Sequence, residues 1–202
     1  MREEATSTMT PPGRWCRRWA GPLAALLLVF AACRSVPPTP ASPLPILPES
    51  ALTGYSTQTQ TVDAETIAGE VADPDSVAPV LEGMRSGSER RFSSRREPEQ
   101  QVISRTIRFT SIAEASGYVS WLDHHAADVL GAAPRREVVD VSGSVAYSRD
   151  PQGCCPGKEM MWWLVTWARG PDALVLMVGG TRVRPAVVGS LAAAMDEQVG
   201  AA

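Results

Sequence analysis

Lysine is almost missing from this 202-residue chain: arginine supplies 18 of its 19 basic residues, and Lys158 is the exception. Histidine is nearly as scarce, with only His124 and His125. Adjacent residues lie 100° apart on a helix, so the i,i+4 pair of a helical zinc site is absent. Gly-x-Ser-x-Gly, a phosphate-cradling glycine loop and His-Glu-x-x-His are all lacking, which removes the common hydrolase, nucleotide-binding and metalloprotease signatures. Neither sign of charge dominates. With 19 Lys+Arg against 22 Asp+Glu, net −3, the chain has no overall attraction for nucleic acid. A 44% hydrophobic content with 20% charged residues excludes a wholly disordered chain. Long apolar runs are missing too. The N-terminal stretch Ala20 to Ala32 would reach about 20 Å as a helix, short of the ~30 Å hydrocarbon core of a bilayer.

What that stretch does have is context. Arg14, Arg17 and Arg18 precede it and small residues end it, the layout of a secretory signal peptide. The small residues lead into a cysteine, and Phe30-Ala31-Ala32-Cys33 resembles the lipobox of bacterial lipoproteins, in which the cysteine takes up a diacylglycerol and cleavage falls just before it. Phe30 departs from the usual Leu of that motif. The resemblance covers residues 1–33 and implies lipidation at Cys33, a partner membrane reached through the anchor, and an extracytoplasmic location. Removal of 1–32 takes away four Arg and two Glu, leaving 15 basic and 20 acidic residues, net −5. The arginine bias, together with the Ala, Gly and Pro usage, points to a GC-rich, actinobacterial type of genome.

Residues 36–48 hold six prolines and no charge. Such a segment favours an extended polyproline conformation, a semi-rigid spacer of about 3.1 Å per residue. The expected organisation is therefore a signal peptide at 1–32, a lipidated cysteine and Pro-rich linker at 33–49, and one domain at 50–202.

Within that domain the periodicity predicts short helices near 63–72 and from Asp75, and strands over 84–94 and 101–110. On the second strand Arg105 falls among Ile103, Ile107 and Phe109, which suggests an edge position. Ser111-Ile-Ala-Glu114 reads as a capping box opening a helix whose stripe is Ile112, Ala115, Val119, Leu122, Ala126 and Val129. Three more strands follow over 137–148, 160–168 and 173–179, the last two joined by the turn Arg169-Gly-Pro-Asp172. The strand over 160–168 is apolar on both faces, with Trp163, Val165 and Trp167 opposite Trp162 and Leu164, and is expected to be central. Pro185 opens a C-terminal helix. The fold class is α+β, a mainly antiparallel sheet of about five strands flanked by helices. In element order this resembles small α+β surface-lipoprotein domains, including the PsbP/Mog1-like group and the extracellular sensor domains of receptor kinases, which implies an interaction or sensing module.

Three clusters are candidates for function. Cys154 and Cys155 are the thiols left once Cys16 departs with the signal peptide and Cys33 carries lipid, so a disulfide between these neighbours is the natural pairing in an exported protein. Arg91, Arg105 and Arg108 stand in an arginine-rich pair of strands suited to an anionic partner, or to a salt-bridged face given Glu89, Glu97 and Glu99 nearby. Trp162, Trp163 and Trp167, with Trp121, offer aromatic walls for a pocket, or a packed core. No catalytic residue, metal ligand or cofactor is assigned. The reading is a membrane-anchored extracytoplasmic lipoprotein that binds a protein or cell-envelope ligand. The alternative is a redox or soft-metal protein built on Cys154-Cys155, with Met160, Met161 and the two histidines as further soft donors.

Overall fold

A strand apolar on both faces needs cover on both sides, and the computed structural model, which describes residues 43–131, 133–152 and 160–201, provides it. Seven strands form one antiparallel sheet: β1 (Tyr55–Val62), β2 (Met84–Ser94), β3 (Gln101–Phe109), β4 (Arg135–Glu137), β5 (Val145–Gln152), β6 (Met160–Arg169) and β7 (Asp172–Gly180). Their order is β1-β2-β3-β7-β6-β5-β4. The class is α+β as expected, with seven strands rather than about five. One addition is β1, where Ser, Thr and Gln alternate with no apolar contrast to betray a strand. The other comes from the stretch over 137–148, where a loop separates β4 from β5.

Helices cover both faces. On one side lie α1 (Ala64–Ala68), α2 (Pro74–Leu81), α3 (Ile112–His124) and α4 (Ala126–Leu130), which enclose a core with Val62, Ile107, Phe109, Leu164, Ala173 and Val175 from the strands. On the other, α5 (Pro185–Ala201) packs Val188, Leu191, Ala192 and Met195 against Val102, Trp163, Val165, Trp167, Leu174, Leu176 and Val178. The alternation of the strands thus sorts neighbouring residues into two separate cores.

Several local expectations hold and several shift. Asp63 caps α1, accepting from the Thr66 amide at 2.8 Å. Ser111 caps α3 by accepting from the Glu114 amide at 3.3 Å, but the Glu114 carboxylate accepts from the Ser111 hydroxyl instead of returning to its amide, so half of the capping box forms. The helix breaks at His125 into α3 and α4, and Gly131, with φ of 72°, ends it in the left-handed region. Ala115, Val119, Leu122 and Ala126 are buried, whereas Ile112 in the first turn is exposed. Gly170, φ 57°, makes the β6–β7 turn.

The Pro-rich segment is partly drawn into the domain. Leu47 has no exposed surface, its amide donates to Ser104 Oγ at 2.9 Å, and the Pro45 carbonyl accepts from the Thr106 hydroxyl. Residues 43–48, expected as spacer, therefore line the α5 face of β3, where they pair with Ser104 and Thr106, while the Ser104 hydroxyl also reaches Met195 Sδ of α5 at 3.3 Å. Cys33, Cys154 and Cys155 lie outside the described residues. Among the described residues no helix is long and apolar enough to cross a membrane.

Candidate functional site

The β2–β3 pairing sets Glu89 directly opposite Arg105. Because β3 lies between β2 and β7, Arg105 is not at an edge but inside the sheet, on the face covered by α1 to α4. A guanidinium in that position needs a carboxylate, and Glu89, with no exposed surface, supplies it: Arg105 Nε donates to Glu89 Oε2 at 2.8 Å, and its Nη2 contacts the same oxygen. Arg105 Nη2 also reaches Glu70, in the turn after α1, at 2.6 Å. Arg91, two residues along β2 on the same face, closes the ring by contacting Glu89 and lying 3.3 Å from Glu70.

Burial opposes the charge on Glu89, but Arg105 and Arg91 outweigh it and hold its carboxyl below the usual carboxylate range. For Arg105, burial likewise acts against the charge and is overcome by Glu89 and Glu70. The ring is balanced, two arginines against two glutamates, and so attracts no net charge.

Above this ring α3 and its C-terminal cap lay down Tyr118, Trp121, Leu122 and His125, spaced three and four apart on one stripe. Tyr118 packs between Phe109 and Trp121, and Trp121 stacks on His125 with ring centres 4.4 Å apart. His125 Nδ1 donates to the Trp121 carbonyl at 2.9 Å, which fixes the imidazole against the indole. The Tyr118 hydroxyl is pushed up to about 12, chiefly by burial, with Glu70 adding and Arg105 opposing, so it stays protonated.

Between stripe, ring and sheet is a cavity of about 230 Å³. Ile103, Val175 and Met177 form its sheet wall, Tyr118, Trp121 and Leu122 its helix wall, and Glu70, Arg91 and Arg105 its polar side. The most exposed of these charges are Arg91 and Glu70, which mark the polar side as the one nearest solvent. Trp121 Nε1 is buried with no hydrogen-bond partner among the described residues. Two further atoms share that condition among the described residues, Arg149 Nε and Thr166 Oγ1. By strand register both stand on the same face of the sheet as the cavity: Thr166 is opposite Val175, and Arg149 is opposite Trp162.

The sequence candidates divide. Arg91 and Arg105 converge on the cavity, whereas Arg108 points to the other face, where Asp172 holds it in a bidentate pair at 2.7 and 2.9 Å. The tryptophans do not converge either. Trp163 and Trp167 belong to the α5 core, where Trp167 Nε1 donates to Asp196 at 2.7 Å. Trp162 is on the cavity side but lies across Gly179, where a Cβ would come within 2.7 Å of its ring. Trp121, expected among the pocket-lining tryptophans, and Glu89, expected in a salt-bridged face, are both at the site. Missed from the sequence were Tyr118 and Glu70, of which Tyr118 was within reach, since it shares the helix stripe with Leu122. His124 is separate from this site, its Nδ1 donating to the Ser120 carbonyl.

This domain is an α+β sheet with helices on both faces and one charged, incompletely filled layer. It is similar in fold to the extracellular domain of PknH from Mycobacterium tuberculosis, with a TM-score of 0.53 and 10% sequence identity over 76% of this chain and 88% of that one. At that identity the likeness is one of fold. No protein-family model matches the sequence, and no curated protein matches it.

Proposed function

We propose that this chain is a lipid-anchored extracytoplasmic binding module whose ligand enters the cavity between α3 and the β3–β7 wall. The observation that carries the reading is that cavity: about 230 Å³, mostly apolar, with a balanced ion ring on its polar side and, in its helix wall, Trp121, whose Nε1 is buried without a partner among the described residues. An apolar cavity of about 150 Å³ takes up benzene, while drug-sized sites begin near ~300 Å³. The fitting ligand is a small neutral molecule with an apolar body and a hydrogen-bond acceptor. A lone buried donor costs roughly 1–3 kcal/mol, and an acceptor on the ligand recovers part of that. The lipobox-like residues ending at Cys33 and the extracellular setting of the similarly folded domain support the location.

Acetophenone and ethylbenzene have nearly the same shape, but only the ketone presents an acceptor. Thermal unfolding and tryptophan fluorescence of the full chain should report saturable binding of both, tighter for acetophenone, and Trp121→Phe should abolish the difference. Equal affinity in both proteins would remove the indole from the site, and no saturable binding would remove the cavity as a site. The anchor is tested separately: intact-mass analysis of the membrane fraction should show a diacylglyceryl mass that Cys33→Ala removes, with release of the protein to the soluble fraction.

A further inference from the structure

A sheet has two edges, and those of this protein are built differently. At one end β4 is three residues long, follows Pro134 and carries exposed Arg135 and Arg136, devices that discourage pairing with another strand. At the other end β1 runs eight residues, Tyr55 to Val62, with no charge, no proline and no bulge in its pairing to β2. Among the described residues nothing pairs with its outer side.

The direction of the free groups follows from the ladder. The Gly54 carbonyl accepts from the Arg95 amide at the start of the β1–β2 pairing. In an antiparallel pair the hydrogen-bonded positions recur every second residue, so Ser56, Gln58 and Gln60 turn their main-chain groups toward β2. Thr57, Thr59 and Thr61 turn theirs outward. Their side chains are exposed as well.

We propose that β1 is a self-pairing edge, joining two copies of this chain antiparallel about a twofold axis near Gln58–Thr59 into a continuous fourteen-stranded sheet, twice the seven of one copy. The occupant is a second copy because the strand is complementary to itself. Outward hydrogen bonding about that axis sets Thr59 opposite Thr59 and Gln58 opposite Gln60, or Thr57 opposite Thr59 and Gln58 opposite Gln58. Cross-strand Thr–Thr pairs are favourable, and in both registers no like charge faces another. Asp63, just past the strand, meets Tyr55 in the first register and lies beyond the paired residues in the second. The arginines immediately behind the edge do not repel a copy, since Arg90 lies 3.7 Å from Glu49, and Arg91 is held by Glu89 and Glu70. A head-to-tail array is disfavoured because β4 offers too short an edge for β1 to use, so the association closes at two. One edge pairing buries far less than the ~1,600 Å² of a standard interface, which places the dimer in the weak, concentration-dependent range.

Sedimentation equilibrium of the full chain from micromolar to millimolar concentration should show a reversible monomer–dimer equilibrium. Over the same range, the amides of Thr57, Thr59 and Thr61 should gain protection from hydrogen exchange. Thr59→Pro deletes an outward donor while leaving the β1–β2 ladder its own donors, and should weaken the dimer at least ~10-fold. Thr59→Lys, which retains the backbone donor but sets cation against cation directly in the first register and diagonally in the second, should weaken it as well and serves where the proline variant does not fold. A chain that stays monomeric to millimolar concentration overturns the proposal, as does a dimer unaffected by the folded variants or protected at amides other than these.

Discussion

The two faces of the sheet are made from the same strands, yet they treat their buried polar atoms differently. On the α5 side, the polar atoms at Ser104, Thr106 and Trp167 have partners in Leu47, Pro45 and Asp196, and Leu174, Leu176, Val188, Ala192 and Met195 are fully buried. On the α1 to α4 side, Glu89 and Arg105 are buried beside the exposed Arg91 and Glu70, a cavity lies under α3, and all three buried partnerless side-chain atoms among the described residues are found, whereas the α5 side has a cavity of about 250 Å³ beside Val102, Val178 and Leu191 but no such atom among those residues. Stability alone does not require such an arrangement, because apolar residues of similar volume generally replace a buried ion network at little or no cost. A face that keeps charges, space and an idle donor together is where a departure from good packing points to binding.

If that contrast is right, the ion ring should be the most fragile feature of the molecule. Arg105→Ala leaves Glu89 buried with Arg91 as its one remaining cation and Gln60 Nε2 donating at 3.0 Å, and urea unfolding should show a loss of about 3–5 kcal/mol. The double change Arg105→Leu with Glu89→Leu should recover most of it, since no uncompensated charge is then buried. A loss under ~1 kcal/mol in the single variant would mean that the ring is solvated and that the two faces do not differ in this respect.

Truncation should separate the faces next. Leu176 and Met177 are neighbours on β7 but point to opposite sides, Leu176 into the α5 core and Met177 into the cavity wall. Leu176→Ala should cost about 3 kcal/mol, while Met177→Ala, which enlarges a space already present and partly open, should cost about 1. Equal losses would show the cavity face to be as tightly packed as its opposite.

Acid should act on one face more than the other. Glu89's carboxyl is held below the usual range, so the unfolded chain takes up its proton first as pH falls. Its contribution is complete above the ordinary carboxylate pKa of about 4.3 and is lost as pH drops through the lowered value. Stability followed from pH 6 to 2 (about the range in which carboxylates titrate) should decline more steeply in the native chain than in the Leu/Leu double variant. At the alkaline end Tyr118, pushed up to about 12, should be the last tyrosine to ionise, with unfolding favoured progressively between about 10 and 12.

Much of the architecture was legible because apolar contrast is local. Trp162 to Trp167 announced a central strand covered on at least one side, Pro185 a helix start and Arg169 to Asp172 a hairpin, and each of these is an i-to-i+few pattern. What escaped depended on partners far away in the chain. Arg105 looked like an edge residue because its carboxylates, Glu89 and Glu70, are 16 and 35 residues distant. Strand register alone brings Glu89 opposite, and a hairpin drawn across residues 95–100 would have found it. Leu47 was hidden by its prolines, and β1 by a polar alternation that buries almost nothing. Tyr118 was within the helix stripe but stands between its aliphatic positions, so a reading that followed Leu and Val alone passed over it, whereas Trp121 was marked as a pocket residue by its type.

The finest distinction between the faces comes from adding volume. Val175 and Leu176 are both buried in β7, but Val175 borders the cavity and Leu176 touches only packed core. In Val175→Phe the ring has somewhere to go, and the extra apolar contact offsets the rotamer it must adopt, so unfolding should change by less than ~0.5 kcal/mol. In Leu176→Phe a ring of the same size meets α5 side chains already in contact, and the overpacking should cost about 1–3 kcal/mol. The near-neutral variant is also the more informative one, because it removes the space without disturbing the fold. Loss of acetophenone binding in Val175→Phe, with stability unchanged, ties the ligand to this cavity, whereas retained binding moves the ligand elsewhere and leaves the open face without its function.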